Sequence, residues 1–126
     1  MRILRNNETA VNRGNSRSEN WDGSSSVNYD NSRSVNRGNS SSVNYDNSRS
    51  VNRDDSSSVN YGGSVSHCYE FSKAVGFMTS VIHVCSVNVE VSAYDYCTVY
   101  CHVKPKRLTV HSESVNVIEP GEYKNI

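Results

Sequence analysis

The chain has 126 residues, enough for one domain or for a small domain with a tail. Its 13 basic and 13 acidic residues cancel, so the overall charge gives no argument for nucleic acid or an anionic membrane as a partner. The first ten residues, MRILRNNETA, lack the apolar segment of a signal peptide. We therefore expect an intracellular protein with reduced cysteines.

A repeat of eight residues dominates the first half of the chain. Seven contiguous octads run from Val11 to Ser66, with the consensus Val-Asn-[Arg/aromatic]-[Gly/Asp]-[Asn/Asp/Gly]-Ser-x-Ser. The sixteen-residue units 24–39 and 40–55 are identical at fourteen positions. Such close identity indicates in-frame duplication of a DNA segment, which can occur without selection on the protein. A translated frame without a selected function is therefore one interpretation of this sequence.

Two structures compete for the octads. Most octads offer one Val and at most one aromatic residue. Burying these gains about 2–4 kcal/mol per octad, less than the cost of ordering eight residues at about 1–2 kcal/mol each. This comparison predicts disorder over residues 1–63. The alternative is an ordered β-array, with turns at dipeptides such as Asp30-Asn31 and Gly62-Gly63. Because eight is even, Val, Tyr and Arg would then share one face, which would make a poor core. We favour disorder.

The third position of the octad carries the candidate interaction residues. Aromatic and Arg side chains at regular intervals can make many weak contacts, each worth about 0.5–1 kcal/mol when exposed. Such a tract predicts self-association through the repeat, whereas the tract's low net charge argues against nucleic acid. These candidates are Arg13, Trp21, Tyr29, Arg37, Tyr45, Arg53 and Tyr61.

The second half, residues 64–126, has the alternation of β-strands. Polar and apolar residues alternate over 80–91 and again over 94–103, with many β-branched and aromatic side chains. A short loop between them predicts a hairpin, and three shorter strands are predicted near 66–71, 107–111 and 114–118. The expected fold is a small all-β antiparallel meander, marginally stable at this size. The longest apolar-rich run, 74–89, is too short and too polar for a membrane span.

All four cysteines and all four histidines lie in this second half. In the predicted hairpin Cys85 pairs directly across from Cys101, and His83 shares a face with Cys85. These three residues are weak candidates for part of a zinc site, or the two cysteines for a disulfide. The simpler interpretation, which we favour, is that they are small core residues and a satisfied histidine. No metal or other cofactor is therefore predicted.

The sequence also lacks the patterns of an enzyme. There is no Gly-rich loop after a predicted strand, no GxSxG motif and no suitably spaced pair of acids. We predict a non-enzymatic interaction or structural protein, whose repeat gives weak multivalent contacts with an unidentified partner. The alternative is an ordered β-repeat structural or surface-binding protein.

Overall fold

The octads form strands that lie alternately on two parallel β-sheets. The computed structural model describes residues 2–119, and these wind into a parallel β-solenoid of about seven turns. Each coil takes two octads, one for each sheet. The first sheet contains β1 (Arg2–Leu4), β3 (Arg17–Asn20), β5 (Arg33–Asn36), β7 (Arg49–Asn52), β9 (Val65–Cys68), β11 (Val81–Val84), β13 (Thr98–Cys101) and β15 (Asn116–Ile118). The second sheet contains β2 (Thr9–Asn12), β4 (Ser25–Asn28), β6 (Ser41–Asn44), β8 (Ser57–Asn60), β10 (Lys73–Gly76), β12 (Glu90–Ala93) and β14 (Arg107–Val110).

Neighbouring strands in each sheet pair in parallel and in register. Across the octads the pairing step is sixteen residues, so that Ser25 faces Ser41 and Val43 faces Val59. The backbone hydrogen bonds continue past the strand ends, as where the amide of Tyr29 donates to the carbonyl of Asn12 at 2.8 Å. Equivalent side chains in successive coils therefore form rows along the solenoid axis. Neighbouring members of a row lie about 4.8 Å apart, the normal spacing of strands in a sheet.

The interior of the first coils is polar. In a strand such as Arg33–Asn36 the second and fourth residues point inward and are buried, while the first and third point outward. The inward positions hold Ser and Asn, as in Ser34 and Asn36, both nearly inaccessible to solvent. Asn36 donates from Nδ2 to Ser42 Oγ at 2.8 Å and to Asn52 Oδ1 at 2.8 Å. The Asn and Ser side chains of the strands thus form hydrogen-bonded ladders along the solenoid axis. Among the described residues, the buried hydroxyl groups of Ser24, Ser40 and Ser56 in the turns have no protein partner.

The interior becomes apolar after the octads, within the same solenoid. The Asn ladder of the first sheet reaches Asn52, which donates to the sulfur of Cys68 at 3.6 Å. From there the inward positions are small or aliphatic, and the strand pairing continues without interruption across residue 63. The buried apolar cluster contains Cys68, Ala74, Ile82, Val84, Val89, Val91, Ala93, Cys97, Val99 and Cys101. The change in composition near residue 63 is therefore a change in the side chains that fill the interior of the coil, from polar to apolar.

Short turns with left-handed backbone join the two sheets. Asp46 and Asn47 have φ of 49° and 66°, and both residues of the equivalent turn, Gly62 and Gly63, also have positive φ. Asn, Asp and Gly tolerate this conformation better than other residues. The amide of Ser48 closes the turn by donating to the carbonyl of Tyr45 at 3.1 Å. The predicted turn dipeptides are turns, but they connect sheets instead of antiparallel strands.

The prediction of a disordered repeat over 1–63 is wrong. The described residues of this half form strands β1 to β8. Each octad makes hydrogen bonds with the octads sixteen residues before and after it, and these bonds offset part of the entropy lost when the chain is ordered. Val and Tyr do not form the core, because they point outward and Ser and Asn fill the inside.

The prediction of an antiparallel meander is also wrong, because every strand pair is parallel. Residues 80–91 contain β11, a turn and the start of β12, and these two strands lie on different sheets. In this part of the first sheet the pairing step is longer than sixteen residues: Val81 faces Thr98, seventeen residues on, and Thr98 faces Asn116, eighteen residues on. An inserted residue reverses the parity of the inward positions, which explains why Ile82 and Val84 did not fit the alternation of 80–91.

Candidate interaction surfaces

The structure divides the seven candidate residues between two rows. Consecutive octads lie on opposite sheets, so third positions that alternate along the sequence separate in space. Four of them, Arg13, Tyr29, Tyr45 and Tyr61, each follow a strand of the second sheet. The other three, Trp21, Arg37 and Arg53, each follow a strand of the first sheet. Third-position residues that follow one another in the sequence therefore lie in two separate rows, one on each sheet.

The row on the second sheet is a continuous stack of rings, which we call the aromatic row. Its members are Tyr29, Tyr45, Tyr61, Phe77, Tyr94 and His111. Neighbouring ring centroids lie 4.1–5.1 Å apart and the planes are within 12° of parallel. Burial, with smaller effects of the two flanking tyrosines, raises the pKa of Tyr45. The ring faces are used within the chain, so only ring edges and hydroxyl groups face outward.

Arg side chains cap or interrupt the aromatic stacking. The guanidinium of Arg13 lies 4.7 Å from the ring centroid of Tyr29, at the N-terminal end of the aromatic row. On the first sheet Arg37 lies 5.0 Å from the Trp21 ring and Arg53 lies 4.3 Å from the Tyr69 ring. These cation–π contacts link coils within one molecule. The Arg and aromatic groups predicted to associate between chains therefore already contact each other inside the chain.

A second set of arginines forms a separate row on the first sheet, which we call the Arg row: Arg17, Arg33 and Arg49. Each is the exposed first residue of its strand, and the strands pair with the arginines facing one another. Among residues 2–119 the ion pairs are Lys73–Glu90 and Arg107–Glu90, so none involves the Arg row. Sequence reasoning did not assign this row a role, although Arg at every second octad was a visible signal.

A groove of about 550 Å³ runs along the Arg row. Its other wall is the Asn row, Asn15, Asn31 and Asn47, and the next coil contributes Gly63 and Val65. These asparagines are the second residues of the turns that lead into the strands of the Arg row. Among residues 2–119 the side-chain amides of these three asparagines have no hydrogen-bond partner, and Oδ1 of Asn47 lies beside Gly63 of the next coil. The groove therefore presents guanidinium and amide groups that are available to a ligand.

The three weak metal candidates do not meet at one point. His83 points outward from β11, Cys85 follows that strand half-buried, and Cys101 points into the core of β13. The register pairs Cys101 with Val84 and not with Cys85. Nowhere in residues 2–119 do three or more His, Cys, Asp or Glu residues form a group that could hold a metal ion. The candidate set is thus divided between the inside and the outside of the coil.

His83 belongs instead to a small cluster of rings on the first sheet. It stacks on His67 at a centroid distance of 4.5 Å and on Tyr100 at 5.0 Å, and its Nδ1 lies 3.0 Å from Nε2 of His102. Burial, with smaller effects of His102 and Arg49, lowers the pKa of His67. Burial, with smaller effects of His67 and His102, lowers the pKa of His83. These rings therefore favour the neutral form. The Cys68 thiol is also held neutral, since burial raises its pKa to about 12, and burial likewise raises the pKa of Cys97.

Comparison with known proteins adds no identification. No protein-family model, no curated protein and no solved structure matches this chain. Between residues 2 and 119 the structure contains no helix with the length and apolar character needed to cross a membrane.

Proposed function

We propose that the protein is a non-enzymatic structural component that associates side by side with copies of itself through the outer face of the second sheet. The observation that carries this proposal is the uncharged centre of that face, which we call the Ser–Val–Tyr face. It consists of Ser25, Val27, Tyr29, Ser41, Val43, Tyr45, Ser57, Val59 and Tyr61. All nine side chains are half-buried and lie in three rows.

The chemistry of these rows favours packing against a like face. Stacking within the chain orders the tyrosine rings before any partner binds, so association loses little side-chain entropy. Val methyl groups and ring edges lie beside small Ser hydroxyl groups, and such a surface is flat enough for two sheets to pack face to face at about 10 Å. Partners would contribute the same rows at the same strand spacing, so their contacts would repeat from coil to coil.

Charged residues limit the area of this face. Arg13 stands at the N-terminal end of the aromatic row, and Lys73 and Glu90 occupy the outward first positions of β10 and β12. The uncharged centre thus covers three strands, roughly 15 Å along the axis. An area this small is typical of weak, transient contacts. We therefore expect association that depends steeply on concentration.

Sedimentation velocity over a series of protein concentrations tests the proposal. Val43→Lys places a charge at the centre of the Ser–Val–Tyr face and should abolish the rise of the sedimentation coefficient with concentration. Val51→Lys is the matched control, because Val51 occupies the same half-buried outward position on the first sheet. The control should associate like the unmodified chain. A chain that stays monomeric throughout the series, or equal effects of the two substitutions, would rule the proposal out.

A further inference from the structure

The Arg row and the groove beside it do not take part in the proposed self-association, because they lie on the opposite sheet. Arg17, Arg33 and Arg49 stand at one-coil spacing, about 4.8 Å between strands. Like charges directly opposite one another on neighbouring strands repel. Within residues 2–119 these three arginines form no ion pair, so a bound anion would relieve the repulsion among them.

The carboxylates nearest to this array leave it positive. Glu19 points outward from β3 on the far side of the Arg row, in a second, smaller groove of about 360 Å³. Asp30 and Asp46 are exposed in the turns that carry the Asn row. In the described part of the chain none of these three acids forms an ion pair with the Arg row. These carboxylates lower the positive potential of the groove, but they leave its guanidinium groups without an ion-pair partner among the described residues.

The form of the groove indicates a linear ligand. Its guanidinium and amide groups repeat once per coil over three coils. Guanidinium groups bind sulfate, phosphate and carboxylate oxygens through paired hydrogen bonds. A chain molecule with regularly spaced anionic groups could contact several coils at once, and the contacts would add along the row.

The other residues that line the groove favour one class of linear polyanion over another. The Asn row offers both amide donors and carbonyl acceptors, a combination that suits hydroxyl groups, which donate and accept. The groove contains no aromatic side chain, whereas proteins that bind single-stranded nucleic acid normally stack bases on exposed aromatic rings. The rings on the same sheet, Trp21, Tyr69 and the cluster around His83, do not line this groove, and they stack on neighbouring side chains. The ligand that fits best carries both anionic groups and hydroxyl groups.

We propose that the groove between the Arg row and the Asn row binds an anionic polysaccharide, with Arg17, Arg33 and Arg49 contacting its sulfate or carboxylate groups and the Asn row contacting its hydroxyl groups. This proposal does not depend on self-association. The solenoid then has two binding faces, one for copies of itself and one for an acidic glycan.

The test is a fluorescence-anisotropy titration of the full chain with labelled dextran sulfate, and with neutral dextran of the same length. Dextran sulfate should bind and dextran should not. The triple substitution Arg17→Ser, Arg33→Ser and Arg49→Ser should weaken binding roughly ten- to one-hundred-fold, the sum of three exposed charge-assisted contacts. Serine stands at the equivalent positions Ser25, Ser41 and Ser57 of the second sheet, so the fold should survive. If circular dichroism shows that it does not, the single substitution Arg33→Ser should still weaken binding by about two- to fivefold.

The matched control removes the same number of charges elsewhere. Arg13→Tyr, Arg37→Tyr and Arg53→Tyr together place tyrosine where other octads already have it, and should change the affinity less than about threefold. Equal losses in the two triple variants would mean that net charge, not the groove, attracts the polyanion, and would overturn the proposal. So would failure of the unmodified chain to distinguish dextran sulfate from dextran. Tighter binding of a single-stranded oligonucleotide of equal charge would overturn it in favour of nucleic acid. Val43→Lys should still bind dextran sulfate, which separates this result from any failure of self-association.

Discussion

Asn28 donates a hydrogen bond from Nδ2 to Oδ1 of Asn44 over 2.7 Å, although the two residues are sixteen positions apart in the sequence. Asn44 in turn donates to Oδ1 of Asn60 at 2.8 Å and to Oγ of Ser50 at 3.0 Å. Each buried amide thus depends on the coils on both sides of it. This dependence explains how a chain with few apolar residues per octad can be ordered.

The Asn ladder should be as important to stability as an apolar core would be. Asn44→Ala removes the acceptor of Asn28 and the donor to Asn60, and leaves buried polar groups without partners. We expect the free energy of unfolding to fall by about 2–4 kcal/mol. Urea denaturation followed by circular dichroism measures this change.

Ser41→Ala is the control on the same strand, because Ser41 points outward. Its effect should stay within about 0.5 kcal/mol. If the two substitutions cost the same, the ladder does not hold the interior together.

The left-handed turns predict a second effect. Asp46 has a φ of 49°, a conformation that a β-branched residue adopts only with strain. Asp46→Val should therefore lower the free energy of unfolding by about 1–2 kcal/mol. Asp46→Gly should be nearly neutral, because Gly38 and Gly62 occupy the same turn position in other octads. Thermal unfolding of both variants measures the difference. A loss with Gly as large as that with Val would show that the carboxylate matters and the backbone conformation does not.

Deletion of whole coils tests the sixteen-residue period. Removing residues 40–55 joins Asn39 to Ser56 and preserves every row, so we expect a folded chain that is one coil shorter. Its stability should be lower because one interface between coils is lost. The dependence of the unfolding free energy on urea should also be weaker, because less surface is exposed on unfolding.

Removing the single octad 40–47 should be worse, although fewer residues are lost. It moves all later strands to the opposite sheet, so that Tyr61 would follow a first-sheet strand and leave the aromatic row. We expect a lower urea midpoint than for the sixteen-residue deletion. An octad deletion that is equally stable would show that the rows contribute nothing to folding.

The stacked histidines predict that stability depends on pH. Burial, with the nearby charges of His102 and Arg49, lowers the pKa of His67 below 6.5, and burial with the neighbouring histidines lowers that of His83. The unfolded chain therefore takes up protons at a higher pH than the folded chain does. The free energy of unfolding should therefore fall as the pH drops below 6.5 through the folded pKa values of these two histidines, and their own contribution should be constant at higher pH.

Urea midpoints measured above and below pH 6.5 test this expectation. Replacing both rings, with His67→Phe and His83→Tyr, should flatten the decline, since Tyr100 shows that tyrosine fits this row. His111→Tyr, in the aromatic row of the other sheet, is the control and should leave the decline in place. An unchanged decline in the double variant would assign the pH dependence to other groups.

Part of the fold could be read from the sequence. The octads, the turn dipeptides and the strand character of the second half were all visible, and the ordered β-array was considered as the alternative. The even period correctly placed Val, Tyr and Arg on one side of the strands. The interior was assigned wrongly because apolar residues were expected to fill it, whereas Asn36 and Ser34 are buried and Val35 is outward.

The candidate interaction residues could also be predicted only in part. Sequence spacing identified Tyr29, Tyr45 and Tyr61 as members of one set, and they do form one row. It joined to them Trp21 and Arg37, which lie on the other sheet, because the sequence does not show that consecutive octads alternate between sheets. It gave no role to Arg17, Arg33 and Arg49, whose importance depends on a groove that exists only when neighbouring coils are stacked.

The sequence by itself determined the period, the turns and the identity of every residue that could stand in a row. The tertiary structure decided which residues face inward, which rows lie together, and that the chain is ordered. The physical reason is that an octad alone cannot compensate for the entropy of ordering its backbone. The stabilising contacts, such as Asn28 with Asn44 and Tyr29 with Tyr45, connect residues sixteen positions apart, and they form only when the whole coil closes in register.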